Sequence, residues 1–149
     1  EIRPRDWSSD VCSSDLTYDR IDRAALNPRP SRMIPIWAGG VAEPGYRRGA
    51  RHADGFILGG PIDRTLTAIE RIREMVREEG RDVEAFGSDW LFQLGEGGGG
   101  EGDLDQVKRW QDSGGSHVSI LSQNLGLTSA DAHIDRLNDF LHRARQACR

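Results

Sequence analysis

A repeated alternation of short apolar segments with amphipathic helical segments is the feature of this sequence that most constrains its fold. Glycine, proline or aspartate stands at the junctions, where strands and helices commonly end and begin. Each helix would return the chain to the start of the next strand, so we expect the strands to be parallel and to lie in one α/β sheet. The predicted strands are residues 34–40, 53–60, about 86–94 and 117–121.

The helices are predicted from apolar side chains that recur at intervals of three and four residues. The second has the clearest pattern, and Gly80 marks its end. Its apolar face is formed by Ile62, Leu66, Ile69, Ile72 and Val76. The other helices are expected to begin at Glu43–Pro44, at Asp103 or Asp105 after a glycine-rich loop at 95–102, and at the start of the segment 129–147.

Two architectures are compatible with four strand–helix units. A doubly wound sheet is complete with four strands, whereas a closed (β/α)8 barrel has eight strands and typically needs ~250 residues. The chain has 149 residues, so it would hold only part of a barrel. We predict the second arrangement, an α/β fold that forms the C-terminal half of a (β/α)8 TIM barrel with about four parallel βα units.

Residues 1–16 have neither a helical nor a strand period. Their stretch DWSSDVCSSDL resembles the conceptual translation of a sequencing-library adapter. We therefore predict that residues 1–16 are a foreign, disordered leader and that residues 17–149 are a partial TIM-barrel domain from a longer protein. The alternative is a genuine leader rich in serine and aspartate.

Composition and charge argue against several classes of protein. The formal net charge is −4 at pH 7, and no basic stripe is available for phosphate backbones, so we expect no nucleic-acid partner. No apolar run approaches the ~18 residues of a membrane-spanning helix. The two cysteines, Cys12 and Cys148, and the four histidines lack the spacing of a metal site. We therefore expect a cytoplasmic protein that binds neither metal nor membrane.

Ala38, Gly39 and Gly40 follow the first strand and precede the first helix. Their N–H groups are expected to face the start of the helix, where an anion binds favourably, and the missing glycine side chains let a ligand approach the backbone. These three residues are therefore a candidate phosphate site. The alternative is that the glycines only permit a tight turn, which is the role expected for Gly59–Gly60 at the second junction.

Three further positions have expected roles. Asp54 should cap N–H groups where the second strand begins. The segment 122–124 follows the fourth strand and is a candidate for hydrogen bonds to a ligand. Large aromatic side chains usually pack in cores, but Trp37 stands next to the candidate phosphate site, so both core packing and stacking on a ligand stay open for it.

Four motifs in order resemble the C-terminal half of the bacterial luciferase-like monooxygenase family. They are PIWAGG, EPGYRRGARHADGFI, RIREMVREEGRDVEAFG and DAHIDRLNDFLHRAR, and the resemblance covers nearly all of residues 27–145. The family is a TIM barrel of flavin or deazaflavin oxidoreductases. This sequence is most similar to the branch that uses coenzyme F420, a deazaflavin, with FMN as the alternative cofactor.

The resemblance implies a function and a site. In the family, the loop at Ala38–Val41 contacts the phosphate tail of the cofactor, and hydride passes between F420 or FMN and a small organic substrate. The ring pocket and the proton donor belong to the N-terminal half, so no catalytic residue is predicted here. We expect this chain to be inactive alone and the full-length form to be a homo-oligomer. The alternatives are another phosphate-binding TIM-barrel enzyme, a lyase or isomerase, or a small non-enzymatic α/β binding module.

Overall fold

The computed structural model describes most of the chain. The chain divides into two units, Glu1–Ile34 and Pro35–Arg149. The described residues are 30–95 and 100–148 in full, and 12–15 and 20–24 as strand backbone.

The first unit contains a two-stranded antiparallel sheet. Strand β1 (Cys12–Asp15) pairs with β2 (Arg20–Ala24), and Asp15 lies opposite Arg20. The prediction of disorder over 1–16 is therefore wrong for residues 12–15. Only four residues separate the two strands in the sequence, so the entropic cost of bringing them together is small. The rest of the leader lies outside the described residues, and its foreign origin stays a prediction.

The second unit alternates strands with helices throughout its described part, as the hydrophobic pattern predicts. Each predicted strand and helix is present. The elements are β3 (Trp37–Gly39), α1 (Glu43–His52), β4 (Gly55–Gly59), α2 (Ile62–Glu78), β5 (Gly87–Gln93), α3 (Glu101–Asp112), β6 (His117–Leu121) and α4 (Ala130–Ala147).

The strands β3 to β6 form one parallel sheet in sequential order, β3-β4-β5-β6. A doubly wound sheet reverses its strand order at a switch point, and the described strands do not reverse. Successive right-handed crossovers in one direction place their helices on one face. Consistent with this, α1 contacts α2, α2 contacts α3, and α3 contacts α4. The α/β prediction with four parallel βα units is confirmed, and the doubly wound alternative is not the arrangement found.

The hydrophobic core lies between this sheet and its helices. Alternate residues of β4 and β5 point into it, and Phe56 and Trp90 are almost fully buried. Helix α1 approaches β4 closely at Gly49, where an added Cβ would lie 2.5 Å from Cδ2 of Phe56. The helices contribute Ile69, Ile72, Val76, Trp110 and Phe140 to the same cluster.

The other face of the sheet, which we call the far face, carries the remaining residues of each strand. Strand alternation and register place on it the glycines that begin β4 and β5 and, further along β5 and β6, the polar residues Asp89 and Ser119. Its members are Trp37, Gly39, Gly55, Ile57, Gly59, Gly87, Asp89, Leu91, Gln93, His117, Ser119 and Leu121.

Two of the predicted boundaries that differ from the structure have a clear physical reason. The first strand begins at Trp37 and not at residue 34, because the backbone N–H of Ile36 donates to Oδ2 of Asp54 at 2.8 Å in place of a strand ladder bond. Helix α3 begins at Glu101, two residues earlier than Asp103. Acidic residues in the first turn favour this start, because they interact well with the positive end of the helix dipole. Residues 96–99 of the predicted glycine loop lie outside the described residues.

Candidate functional site

The carboxyl ends of the parallel strands meet at one edge of the sheet, where α/β barrels place their ligand sites. Strand β3 ends at Gly39, and its neighbour β4 ends at Gly59. The candidate phosphate segment and the second glycine pair are therefore adjacent at this edge.

The four predicted site residues occupy different positions in this junction. Ala38 lies within β3, in register with Phe56, and is partly buried against the core. Gly39 ends the strand, and Gly40 follows it as an exposed residue. Val41 is 76% exposed, just before α1. The junction therefore offers an exposed backbone from Gly39 onward, whereas the side chain of Ala38 serves packing.

Packing within the chain does not explain the glycine at position 39. A Cβ added there would have the carbonyl oxygen of Ile57, at 3.6 Å, as its nearest neighbour, which is an ordinary contact. At Gly40 the nearest atom would be 3.8 Å away. In contrast, a Cβ at Gly55 would lie 2.7 Å from the indole of Trp37. The space in front of Gly39 is thus free for a ligand, and a side chain would fill it.

The start of α1 lacks a side-chain cap. Its N-cap residue is Ala42, whose side chain accepts no hydrogen bond. Pro44 has no N–H, and the N–H groups of Gly45 and Tyr46 donate to the carbonyl oxygen of Ala42 at 2.9 and 3.1 Å.

The acidic residue of the first turn of α1, Glu43, is held by Arg71 at 3.2 Å and by Arg47 at 3.0 Å. These hydrogen bonds, first from Arg71 and then from Arg47, lower the pKa of Glu43. The guanidinium groups offset its negative charge, which leaves this helix end compatible with a bound anion.

The second glycine pair is built as a turn. Gly60 has a φ of 110°, a value that favours glycine. Its carbonyl oxygen accepts hydrogen bonds from Nε1 of Trp90 at 3.1 Å and from Oγ1 of Thr65 at 3.5 Å. The core therefore fixes Gly60 in place, and the structure agrees with the turn predicted for it.

Polar contacts tie together the ends of β5 and β6 at the same edge. The amide nitrogen of Gln93 donates to the carbonyl oxygens of Leu121 at 3.2 Å and Gln123 at 2.7 Å. Oγ of Ser122 lies 2.9 Å from Nδ1 of His133, in the first turns of α4. Of the predicted segment 122–124, Ser122 is thus paired within the protein. The sequence gives no sign of its pairing with His133, because the contact joins a loop to a helix.

Asp89 is a polar residue of the far face that the sequence analysis did not single out. It is 8% exposed, and Oγ of Ser119 donates to its Oδ2 at 2.7 Å. The signal that could have found it is an acidic residue within a strand whose other members are mainly apolar. Burying a carboxyl group costs free energy unless it is paired or hydrogen-bonded, so such a residue is a candidate for a functional role.

The described residues contain no group of three or more His, Cys, Asp or Glu side chains placed to hold a metal ion. Among the helices within the same described part of the chain, none is both long and apolar enough to cross a membrane.

A sequence model of the family described as "Luciferase-like monooxygenase" matches residues 5–88. The match begins inside the segment that we predict to be a foreign leader and extends into β5. Uncharacterized proteins of Mycobacterium tuberculosis and Mycobacterium bovis are 41% identical over an alignment of 111 positions that covers 69% of this chain and 33% of each relative. The chain thus spans about a third of the length of the curated relatives it matches.

Solved structures with a related chain path include an F420-dependent secondary alcohol dehydrogenase in complex with an F420–acetone adduct. It is 16% identical with a TM-score of 0.48, and the match covers 91% of this chain and 48% of that chain. Another is a long-chain alkane monooxygenase, 16% identical with a TM-score of 0.42, for which the shares are 89% and 39%.

Proposed function

Because the chain belongs to the luciferase-like monooxygenase family, we propose that it is part of an oxidoreductase that transfers hydride between a flavin-type cofactor and a small organic substrate. The cofactor is F420 or FMN. The observation that carries the proposal is the free space in front of Gly39, at a strand end that leads into a helix start without a side-chain cap.

In this proposal the backbone of Ala38–Val41 holds the phosphate of the cofactor. The N–H groups of Gly40 and Val41 lie next to the start of α1, where the helix dipole favours negative charge. Glycine at position 39 lets the phosphate approach the backbone. The cofactor supplies the hydride chemistry, and this chain supplies the anchor.

We also propose that the sheet β3–β6 is the C-terminal half of a TIM barrel. Its sequential parallel order supports this, because a barrel needs neighbouring strands to follow one another along the chain. The ring pocket and the proton donor would come from the other half, so we expect no turnover from this chain alone. Homo-oligomerisation of the full-length form and a cytoplasmic location stay predictions.

Paired titrations of FMN and riboflavin, followed by flavin fluorescence, test the phosphate anchor. Riboflavin has the same ring without the phosphate, so wild-type protein should bind FMN about tenfold more tightly. Gly39→Ala should remove that preference. Gly102→Ala is the matched control, because an added Cβ there meets nothing within 4 Å.

F420 is titrated in the same way to choose between the two cofactors. Equal affinity of the wild-type chain for FMN and riboflavin, together with no affinity for F420, would contradict the proposal. Binding of inorganic phosphate that is lost in Gly39→Ala, without binding of either cofactor, would instead favour a phosphate-binding lyase or isomerase.

A further inference from the structure

Asp89 lies on the far face, in the middle of the sheet. Its neighbours in β5, Ser88 and Trp90, are buried on the helix side, so strand alternation directs Asp89 away from the helices. In register it stands between Ile57 of β4 and His117 of β6.

Among the described residues, only one of the two carboxyl oxygens of Asp89 has a hydrogen-bond partner. Oδ2 accepts from Oγ of Ser119 at 2.7 Å, which fixes the orientation of the carboxyl plane. Oδ1 is buried and has no hydrogen-bond partner among the residues that the structure describes. A buried carboxyl oxygen without a donor is costly, and proteins normally supply one. Oδ1 of Asp89 can therefore accept a hydrogen bond from a donor that is not among the described residues.

The side chain of Trp37 covers the far face on the amino-terminal side of Asp89. Its indole lies over Gly55 and Gly87, the far-face residues that precede Ile57 and Asp89 in β4 and β5. A molecule that reaches Asp89 along the far face therefore comes from the carboxyl edge.

The carboxyl side of the same strand is accessible. Leu91, the next far-face residue of β5, is 38% exposed, and Gln93 after it is also exposed. The far face is therefore more open on the carboxyl side of Asp89 than on its amino side, which the indole of Trp37 covers.

Gly39 and Asp89 stand at the same level of the sheet. Gly39 pairs with Ile57, and Ile57 pairs with Asp89, so two strand spacings separate them. Two spacings correspond to about 10 Å. A molecule anchored by its phosphate at Gly39 and lying across Ile57 therefore brings a group within reach of Asp89.

We propose that Oδ1 of Asp89 accepts a hydrogen bond from an N–H or O–H group of the molecule whose phosphate is held at Gly39. The inference rests on the proposed function and extends it, because it adds a second contact on the far face. Ser119 is a positioning residue, since its hydroxyl orients the carboxyl group through Oδ2.

The test compares unfolding midpoints and cofactor affinities of Asp89→Leu, Asp89→Asn and Ser119→Ala, with FMN and F420 as probes. Asp89→Leu removes the unpartnered oxygen but also the acceptor of the Ser119 hydroxyl, so its unfolding midpoint should stay close to that of wild type. Its affinity for the cofactor that binds should fall about tenfold. Asp89→Asn keeps an acceptor oxygen in nearly the same shape and should lose less, and Ser119→Ala should also give a partial loss.

The outcomes separate this inference from the proposed function. If Gly39→Ala weakens binding but both Asp89 variants bind like wild type, the inference is overturned and the phosphate anchor stands. If both Asp89 variants unfold at lower temperature and lose affinity in proportion, Asp89 is structural and the inference is again overturned. If the wild-type chain binds neither FMN nor F420, the proposed function fails and the inference fails with it.

Discussion

The indole of Trp37 lies over Gly87, two strands away in the same sheet, so that a Cβ at position 87 would stand 2.5 Å from Cη2 of the ring. The same ring covers Gly55 on the strand between them, where a Cβ would lie 2.7 Å from Cδ2. Its edge meets the imidazole of His117 with centroids 5.1 Å apart and planes at 87°. One side chain thus spans the amino end of the far face.

Gly87→Ala should destabilise the protein because the new methyl group overlaps the Trp37 ring. Overpacking of this kind costs about 1–3 kcal/mol in the free energy of unfolding. Urea denaturation measures it. In a Trp37→Ala background the same substitution should cost far less, since the ring is gone; an equal cost in both backgrounds would show that the indole is not what requires glycine there.

Phe140→Ala should be among the most destabilising substitutions in α4. Phe140 is 0% exposed and packs against Phe92 of β5 with ring centroids 5.9 Å apart. Truncating a buried phenylalanine costs about 3–5 kcal/mol. Leu141→Ala, at a neighbouring residue that is 38% exposed, is the control and should cost much less. Thermal unfolding that shows equal losses would contradict the docking of α4 on this sheet.

The ion pairs of Glu43 predict a particular pH dependence. Hydrogen bonds from Arg71 and then Arg47 lower the pKa of Glu43 below its ordinary value of 4.5. Because the folded-state pKa is the lower one, the stabilising interaction is fully present above pH 4.5 and is lost as the pH falls through the lowered pKa. The carboxyl carbon chemical shift of Glu43, followed by NMR during acid titration, measures this directly.

Arg71→Met should raise the pKa of Glu43 toward its ordinary value, and high salt should act in the same direction because the pair is exposed. Arg109→Met is the control, since Arg109 pairs with Asp63. A Glu43 titration that is the same in wild type and in Arg71→Met would refute the assignment of this shift.

Local patterns in the sequence predict the elements of the second unit well. The apolar spacing of α2 is a property of consecutive residues, and Gly80, with a φ of 68°, follows its end as predicted. Asp54 does accept a backbone N–H, but the donor is Ile36, just before β3, and not the local N–H groups at the start of β4 that the sequence predicts.

The hydrogen bond between Ile36 and Asp54 also shows why the start of β3 could not be predicted from the neighbouring sequence. Ile34 and Ile36 have the apolar character of a strand, yet they are 59% and 67% exposed, and Ile36 is bound to Asp54 outside the ladder. A strand boundary set by a contact 18 residues away has no signal in the segment itself.

The candidate site likewise contains residues that the sequence predicts and a contact that it does not predict. Gly39 and Gly40 can be predicted from the sequence because they stand where the strand pattern ends and the helix pattern begins. The pairing of Asp89 with Ser119 depends on the register of two strands that are 30 residues apart in the sequence. Sequence patterns give the order of the strands, and only the register determines which side chains meet across them.

Backbone amide NMR during a titration with FMN, and in parallel with F420, tests the phosphate anchor most directly. The largest chemical-shift changes on binding are expected at the amides of Gly39, Gly40 and Val41, and they should be absent when riboflavin replaces FMN. Binding of either cofactor with these three amides unchanged, and with the shifts concentrated elsewhere in the chain, would contradict the phosphate anchor.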